Sequence, residues 1–589
     1  MLEPTNAVGS ETPGAGIQGA DPWVRHAADH GFRTSPLRED LVCLAILGSV
    51  WIVMVVLANP IGDFPLNDDW VYGLAVKAIL EHGEFRLPSP SSANVFAQAY
   101  WGALFCLPFG FSFTALRTST LVLGLVGVWA SFDLLRELGA GSRFALLAAA
   151  VVAVNPLYFA LANTFMTDVP FLAVSAASLL FLVRWTFRPI VRNALLGLAL
   201  CMMAILIRQA GLVLLLGFSI AYVVKRGPGF RTIAIATIPV LIGVLLHFGF
   251  QVWIHQTGRT PYFGDPPLFA TVARNLEYAP TIPLRLFTFA AYAGLFSLPI
   301  LAVESLRAWK RSDATRRRAL FMLFGAATVA SLGAIIAIGR PTPFGDNVLN
   351  GFGMGPLTLT DTYFLHRNAP DIPAWLTVFW YAVIAAAIIG TAMLLCMVAF
   401  SLRDTRGHTL TSERAPAMTI IACSGVAYML LGAVTLRFFI DRYVLFVLLS
   451  TVLLTGLIYA GSLSDKLSNK GSALLILVLA LQATFTVVAT RDYLEWNRWR
   501  WAATSALVAA GIQRTSIDGG YEFNGWFGYA PYYLRTRGKS PWWVVDDEYV
   551  ITSGPIPGYS IVRAYPFRRL LTGQVSQILV LQRDRLQIQ

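Results

Sequence analysis

Charge is what this sequence has least of. Only 13% of its 589 residues are Asp, Glu, Lys or Arg, while 56% are hydrophobic and the mean hydropathy is +0.61. A soluble fold needs more polar surface than that. Cysteine is also scarce: Cys43, Cys201, Cys396 and Cys423 lie in apolar runs and Cys106 in a short amphipathic one. None falls in the polar C-terminal region, so no disulfide framework is implied, and no CxxC metal spacing exists. The seven histidines include one suggestive pair, His26 and His30 flanking Asp29. In a polar tail, i,i+4 spacing is more often chance than a metal site. No internal repeat is evident, which weighs against an inverted-repeat transporter. GFGMGP (351–356) is Gly-rich but lacks the Lys-Ser/Thr of a phosphate-binding loop.

What is present is a series of apolar runs. Spans are expected at about 41–59, 114–135, 143–161, 169–187, 192–207, 209–224, 231–254, 284–305, 319–339, 373–400, 416–436, 442–460 and 472–490. The fold class is therefore an all-α polytopic membrane protein with about 13 transmembrane helices. A transmembrane barrel would show short alternating segments instead. Segment 99–111, AYWGALFCLPFGF, is too short to span and reads as interfacial, with Tyr100 and Trp101 at headgroup level.

The formal charge of +12 raises nucleic acid as a partner. In a membrane protein the better reading is Lys and Arg gathered in cytoplasmic loops, where they fix orientation. Placing the N-terminus inside puts RAWKRSDATRRR and KRGPGFR in the cytoplasm. Residues 1–40 then read as a disordered cytosolic tail rather than a signal peptide. The transmembrane domain covers 41–490, with a first outer loop, 60–112, that carries juxtamembrane helices. Residues 491–589 are expected to form a small extracytoplasmic α/β domain. There RDYLEWNRWRWAATSALVAAGI reads as an amphipathic helix, and WWVVDDEYVITS, YSIVRAYPF and VSQILVLQR read as strands. Trp496, Trp499, Trp501, Trp526, Trp542 and Trp543 crowd this region; core packing explains them better than sugar stacking.

This topology gathers the chemistry-bearing residues on one outer face. Asp68 and Asp69 head the stretch NDDWVYGLAVKAILEHG, where Asn67 or Asp68 could cap a helix. Alternatively, a carboxylate beside another acid in a partly desolvated cleft can accept a hydroxyl proton. Asp168 in MTDVP likewise reads as a helix cap before Pro170 or as a member of the same site. Arg208 interrupts ILIRQAGLVL, and Arg437 and Arg442 flank RFFIDRY. Arginine at membrane depth is costly. A phosphate partner explains it through bidentate hydrogen bonds; headgroup snorkelling or a local Arg442–Asp441 pair are the alternatives.

The order of these features resembles a known family. An apolar span, DDWVY, an interfacial aromatic segment, a span ending in RELGAGSR, and then NPLYFALANTFMTDVPFL is similar to the GT-C membrane glycosyltransferases. Within them it looks most like the glycosyltransferase family 39-like group of protein O-mannosyltransferases and lipid A aminoarabinose transferases. The match covers about residues 40–225, and RFFIDRYVLFVLL echoes a later feature. The resemblance implies a GT-C fold and an inner membrane location. It also implies transfer from a polyprenyl-phosphate sugar, a hexose or pentose, generally with inversion. It implies a lipid, glycan or protein as acceptor, and no nucleic acid as partner.

The resemblance carries Asp68, Asp69 and Asp168 over as the acidic positions. Asp69 stands where Glu is commoner, and Trp70 departs from the pattern too. Arg208, Arg442, Arg437 and Tyr72 are the expected substrate-binding residues, and loops 255–283 and 340–371 are placed to close over them. No metal ligand set stands out, and a divalent cation stays open as a cofactor. Three other classes remain: a glycolipid transporter or flippase, a glycan polymerase or ligase using a diphosphate-linked donor, and a non-catalytic scaffold that retains the GT-C shell.

Overall fold

Each apolar run becomes a helix, because a lipid-exposed backbone must satisfy its own hydrogen bonds. The computed structural model describes residues 37–89, 91, 93–259, 276–338, 347–356, 358–359, 372–404, 414–436, 439–460, 469–530 and 542–584. In chain order the first helices are α1 Leu37–Ala58, α2 Asp69–His82, α3 Phe96–Cys106, α4 Phe113–Glu137, α5 Ser142–Ala153, α6 Pro156–Ala162, α7 Asp168–Phe187, α8 Val191–Ile207 and α9 Leu212–Arg226. They are followed by α10 Phe230–Gln256, α11 Ile282–Arg311, α12 Ala314–Ile338, α13 Ala374–Asp404, α14 Ala415–Thr435, α15 Leu445–Ala460, α16 Asn469–Ala509 and α17 Tyr521–Gly528.

All thirteen expected spans are helical. Among the described residues, 11 helices are long and apolar enough to cross a membrane alone. The run expected at 143–161 is instead a pair, α5 and α6, bent by 62°. Asn155 explains the break. Its side chain accepts from Tyr158 N–H at 3.0 Å as an N-cap, and Pro156 occupies the first helical turn. Thr486 donates to the Val154 carbonyl freed at the bend, at 2.8 Å. The run at 192–207 is α8, 17 residues long.

Small residues set the closest helix crossings. A Cβ on Gly294 of α11 would lie 2.5 Å from the backbone of Gly390 on α13, so only glycine permits that approach. The short segment around 99–111 is α3, only 11 residues.

At the C-terminal end, α16 runs 41 residues without a break. The expected span at 472–490 and the expected amphipathic helix after it are one rod. Beyond it stands a four-stranded sheet of β3 Ile517–Asp518, β4 Tyr549–Thr552, β5 Tyr559–Arg568 and β6 Val575–Arg583. Its order is β3-β4-β6-β5, with β3 and β4 parallel and the other pairs antiparallel. Asp492 of α16 joins rod to sheet by accepting the N–H groups of Leu570 and Leu571 at 2.7 and 2.8 Å. GFGMGP forms part of a hairpin, β1 Leu349–Asn350 with β2 Gly353–Met354. Gly355 has a φ of +93°, and a Cβ there would collide with the Tyr493 ring of α16. Its glycine is thus explained by packing.

Candidate functional site

Helix ends bring the predicted residues together. Asp68 and Asp69 sit at the start of α2, Asp168 at the start of α7, and Arg208 between α8 and α9. Arg442 lies in a 3-10 turn, Asp441–Val444, that leads into α15. Arg437 lies outside the described residues, as do His26, His30 and most of loops 255–283 and 340–371.

Neither acid acts as a helix cap. Asp68 holds the N-cap position of α2 but makes no side-chain cap hydrogen bond, and Thr167 before α7 makes none either. Asp68 instead accepts from the Tyr521 hydroxyl at 2.8 Å (Oδ1) and from Arg442 at 3.5 Å (Oδ2). Its side chain is 25% exposed. Asp168 Oδ1 accepts from Arg208 at 2.6 Å, and the same Arg208 nitrogen reaches Thr167 Oγ1 at 3.2 Å. The Tyr443 ring lies under both guanidinium groups, 5.2 Å from Arg208 and 5.5 Å from Arg442. Arg442 also approaches Met166 Sδ at 3.9 Å. The two acid–arginine pairs therefore form one cluster around a shared aromatic face.

Two buried polar atoms in this cluster have no hydrogen-bond partner among the described residues: Asp168 Oδ2 and Arg442 Nε. Such atoms are costly unless something else satisfies them. The local Arg442–Asp441 pair is not what occupies Arg442. The Asp441 carboxylate is taken up by Val348 N–H at 3.1 Å and Leu349 N–H at 2.7 Å, which pins the β1–β2 hairpin beside the site.

The adjacent acids have different surroundings. Asp69 is 1% exposed. It accepts from Phe165 N–H at 2.8 Å and Leu66 N–H at 3.2 Å, so it ties its own loop to the MTDVP loop. Gln98 of α3 holds that second loop from the other side through the Phe165 carbonyl at 2.6 Å. Burial pushes the Asp69 carboxyl up to about 8; the Arg117 charge and the two N–H groups oppose this. Arg117 itself donates to the carbonyls of Gly62 at 3.2 Å and Phe64 at 3.0 Å, fixing the approach to α2. Tyr72 is buried beside the cluster. Burial first, then the Asp68 charge, raise its hydroxyl, which stays a neutral donor.

Sequence reasoning missed the third wall. Tyr521 and Glu522 open α17 in the C-terminal region, 453 and 455 residues from their partners Asp68 and Asn67. A small cavity of about 20 Å³, room for roughly one water, adjoins the cluster. Asn67, Thr164, Met166, Val348, Gly355 and Tyr493 are among its lining residues. Among the described residues no three His, Cys, Asp or Glu side chains come together as metal ligands. Asp68 and Asp168 are each engaged by arginine.

A family model described as dolichyl-phosphate-mannose-protein mannosyltransferase matches residues 96–254. That stretch contains Asp168 and Arg208 but not Asp68, Arg442 or the C-terminal region. Over that stretch the chain is similar to this family of transferases. No curated protein matches. Two solved structures are similar: ArnT from Cupriavidus metallidurans in the apo state and bound to undecaprenyl phosphate. Both are 15% identical over 76% of this chain and 77% of theirs, with TM-scores of 0.30 and 0.31.

Proposed function

We propose that the protein transfers a sugar from a polyprenyl-phosphate donor to an acceptor hydroxyl on the extracytoplasmic face of the membrane, with inversion. The observation that carries this reading is the paired cluster itself. A partly exposed carboxylate, Asp68, stands beside Arg442, whose Nε is buried without a partner among the described residues, and the Tyr443 ring joins this pair to Asp168–Arg208. The matched family, described as dolichyl-phosphate-mannose-protein mannosyltransferase, supports the donor class.

In this reading Arg208 and Arg442 bind the lipid phosphate through charge-assisted hydrogen bonds. Tyr443 supports both guanidinium planes. Asp68 takes the proton from the acceptor hydroxyl as that oxygen bonds to the anomeric carbon. The carbon–oxygen bond to phosphate breaks on the opposite side, and its electron pair leaves with the polyprenyl phosphate. Both arginines meet the charge that develops there. The leaving phosphate needs no protonation. Asp168 orients Arg208, and Asp69 fixes the base loop against the MTDVP loop. The prenyl tail lies between helices, which accounts for a site at helix ends.

The test is release of undecaprenyl phosphate from radiolabelled undecaprenyl-phosphate hexoses and pentoses by purified protein in lipid, with a membrane extract as acceptor source. Wild type is expected to turn over at least one donor and Asp68→Asn to lose about 10²- to 10⁴-fold in rate. Wild-type turnover by folded Asp68→Asn would remove the base assignment. Donor movement across vesicles without sugar transfer would favour the flippase class instead.

A further inference from the structure

The base loop is gripped from a part of the chain outside the family match. Asn67, just before Asp68, has a φ of +54°, a left-handed conformation uncommon outside glycine. Its N–H donates to Glu522 Oε1 at 2.9 Å. Glu522 is fully buried and locked in turn by Arg500 of α16 at 2.9 Å and by the Thr358 hydroxyl at 2.5 Å. The neighbouring Tyr521 puts its hydroxyl on Asp68 Oδ1 at 2.8 Å. Its ring is held by tryptophans, with centroids 4.7 Å from Trp542, 5.7 Å from Trp70 and 6.2 Å from Trp543. A Cβ on Gly525 would fall 2.4 Å from the Trp70 indole, so α17 can sit this close to α2 only with glycine there.

We propose that the C-terminal region completes the active site, with Tyr521 as a positioning residue for Asp68 and Glu522 as the anchor of the loop that carries it. This rests on Asp68 being the base. A carboxylate with one engaged oxygen can still swing about its terminal torsion, which is broad. The Tyr521 bond on Oδ1 and the longer Arg442 contact on Oδ2 fix its plane, so the lone pair that receives the proton is aimed at the acceptor. Tyr521 moves no proton and touches no substrate. Burial, followed by the Asp68 charge, keeps its hydroxyl protonated and therefore donating.

The experiment uses the full chain in lipid, with turnover of the labelled donor and binding of undecaprenyl phosphate as separate readouts. Tyr521→Phe keeps the ring among the tryptophans and removes the donor. It is expected to lower kcat about tenfold or more, the worth of a hydrogen bond to a charged group. Donor KM and undecaprenyl phosphate affinity should stay within about twofold of wild type, because a group acting only at the chemical step leaves ground-state binding alone. In an Asp68→Asn background the same change should add nothing, since it acts through Asp68. A wild-type kcat in Tyr521→Phe overturns the proposal. So does a kcat loss matched by an equal loss of lipid-phosphate affinity, which marks a merely structural role. An inactive Asp68→Asn beside a fully active Tyr521→Phe sinks this proposal alone, whereas a fully active Asp68→Asn removes the base reading beneath it.

Discussion

The two ends of the helical bundle both hold buried arginines and acids, but arrange them differently. At the end away from the site, cations stand at helix C-termini. Arg136 is in the last turn of α4 and Arg184 in the last turn of α7, where the helix dipole favours positive charge. Arg136 meets Asp40 at 2.8 Å with side chains only 1% and 6% exposed, and Arg184 meets Glu137 at 2.8 Å. Lys225, in the last turn of α9, donates to the Thr186 carbonyl at 2.6 Å. Charge and backbone agree there, and the result fastens helices together.

At the site end Arg442 stands before a helix N-terminus, already a positive end, while Arg208 lies between the C-terminus of α8 and the N-terminus of α9. Arg208 precedes α9 and Arg442 precedes α15. The two guanidinium groups are met by Asp168 and Asp68, and Asp168 Oδ2 and Arg442 Nε have no partner among the described residues, as Arg136 Nη2 has none at the other end. Backbone and side chain together make a site for an anion. The lesson is that burial of charge does not separate function from structure. What differs is that the site end gathers two acid–arginine pairs round one aromatic ring, Tyr443, with Asp68 partly exposed.

Four changes would break or sharpen this contrast. The largest effect is expected from Asp68→Asn, a rate loss of about 10²- to 10⁴-fold with the fold intact, read by donor turnover and thermal unfolding. At the opposite end, Arg136→Ala strands a buried Asp40. It should cost about 3–5 kcal/mol of stability, read by unfolding in detergent, while the folded fraction keeps its turnover. Next comes Arg208→Ala, expected to weaken undecaprenyl phosphate binding by about 10- to 100-fold through loss of charged hydrogen bonds. An unchanged affinity would count against the phosphate role.

The smallest effect is a pH dependence. The Asp69 carboxyl is raised from its ordinary 3.8 to about 8 by burial. A raised folded value favours the protonated form, so this contribution to stability is full below about 4 and is lost as pH rises towards 8. Asp69→Asn, which cannot ionise, should flatten the stability profile across that window. A profile that keeps its full slope in the variant would assign the dependence elsewhere.

Much of this was legible in the sequence, for a physical reason. Lipid requires long apolar helices, and charges that interrupt them stand out, so Asp68, Asp168, Arg208 and Arg442 could be picked from four distant stretches and placed on one face. The bend at Asn155–Pro156 was not legible as a break, because proline in a helix's first turn leaves an apolar run looking continuous. The different surroundings of Asp68 and Asp69 were hidden for another reason. They depend on the Phe165 N–H, the Arg442 guanidinium and the Tyr521 hydroxyl, which only folding brings to the two adjacent carboxylates. Tyr521 and Glu522 carried no signal at all. They lie in an aromatic-rich polar region, and nothing local marks a tyrosine whose partner is 453 residues away.

The most direct test is a structure of the protein with undecaprenyl phosphate bound, measuring where the phosphate sits. The account predicts it within hydrogen-bond reach of both Arg208 and Arg442, above the Tyr443 ring and beside Asp68. A phosphate seated at Arg136 and Arg184, or anywhere that leaves Arg208 and Arg442 paired only with their aspartates, would contradict it.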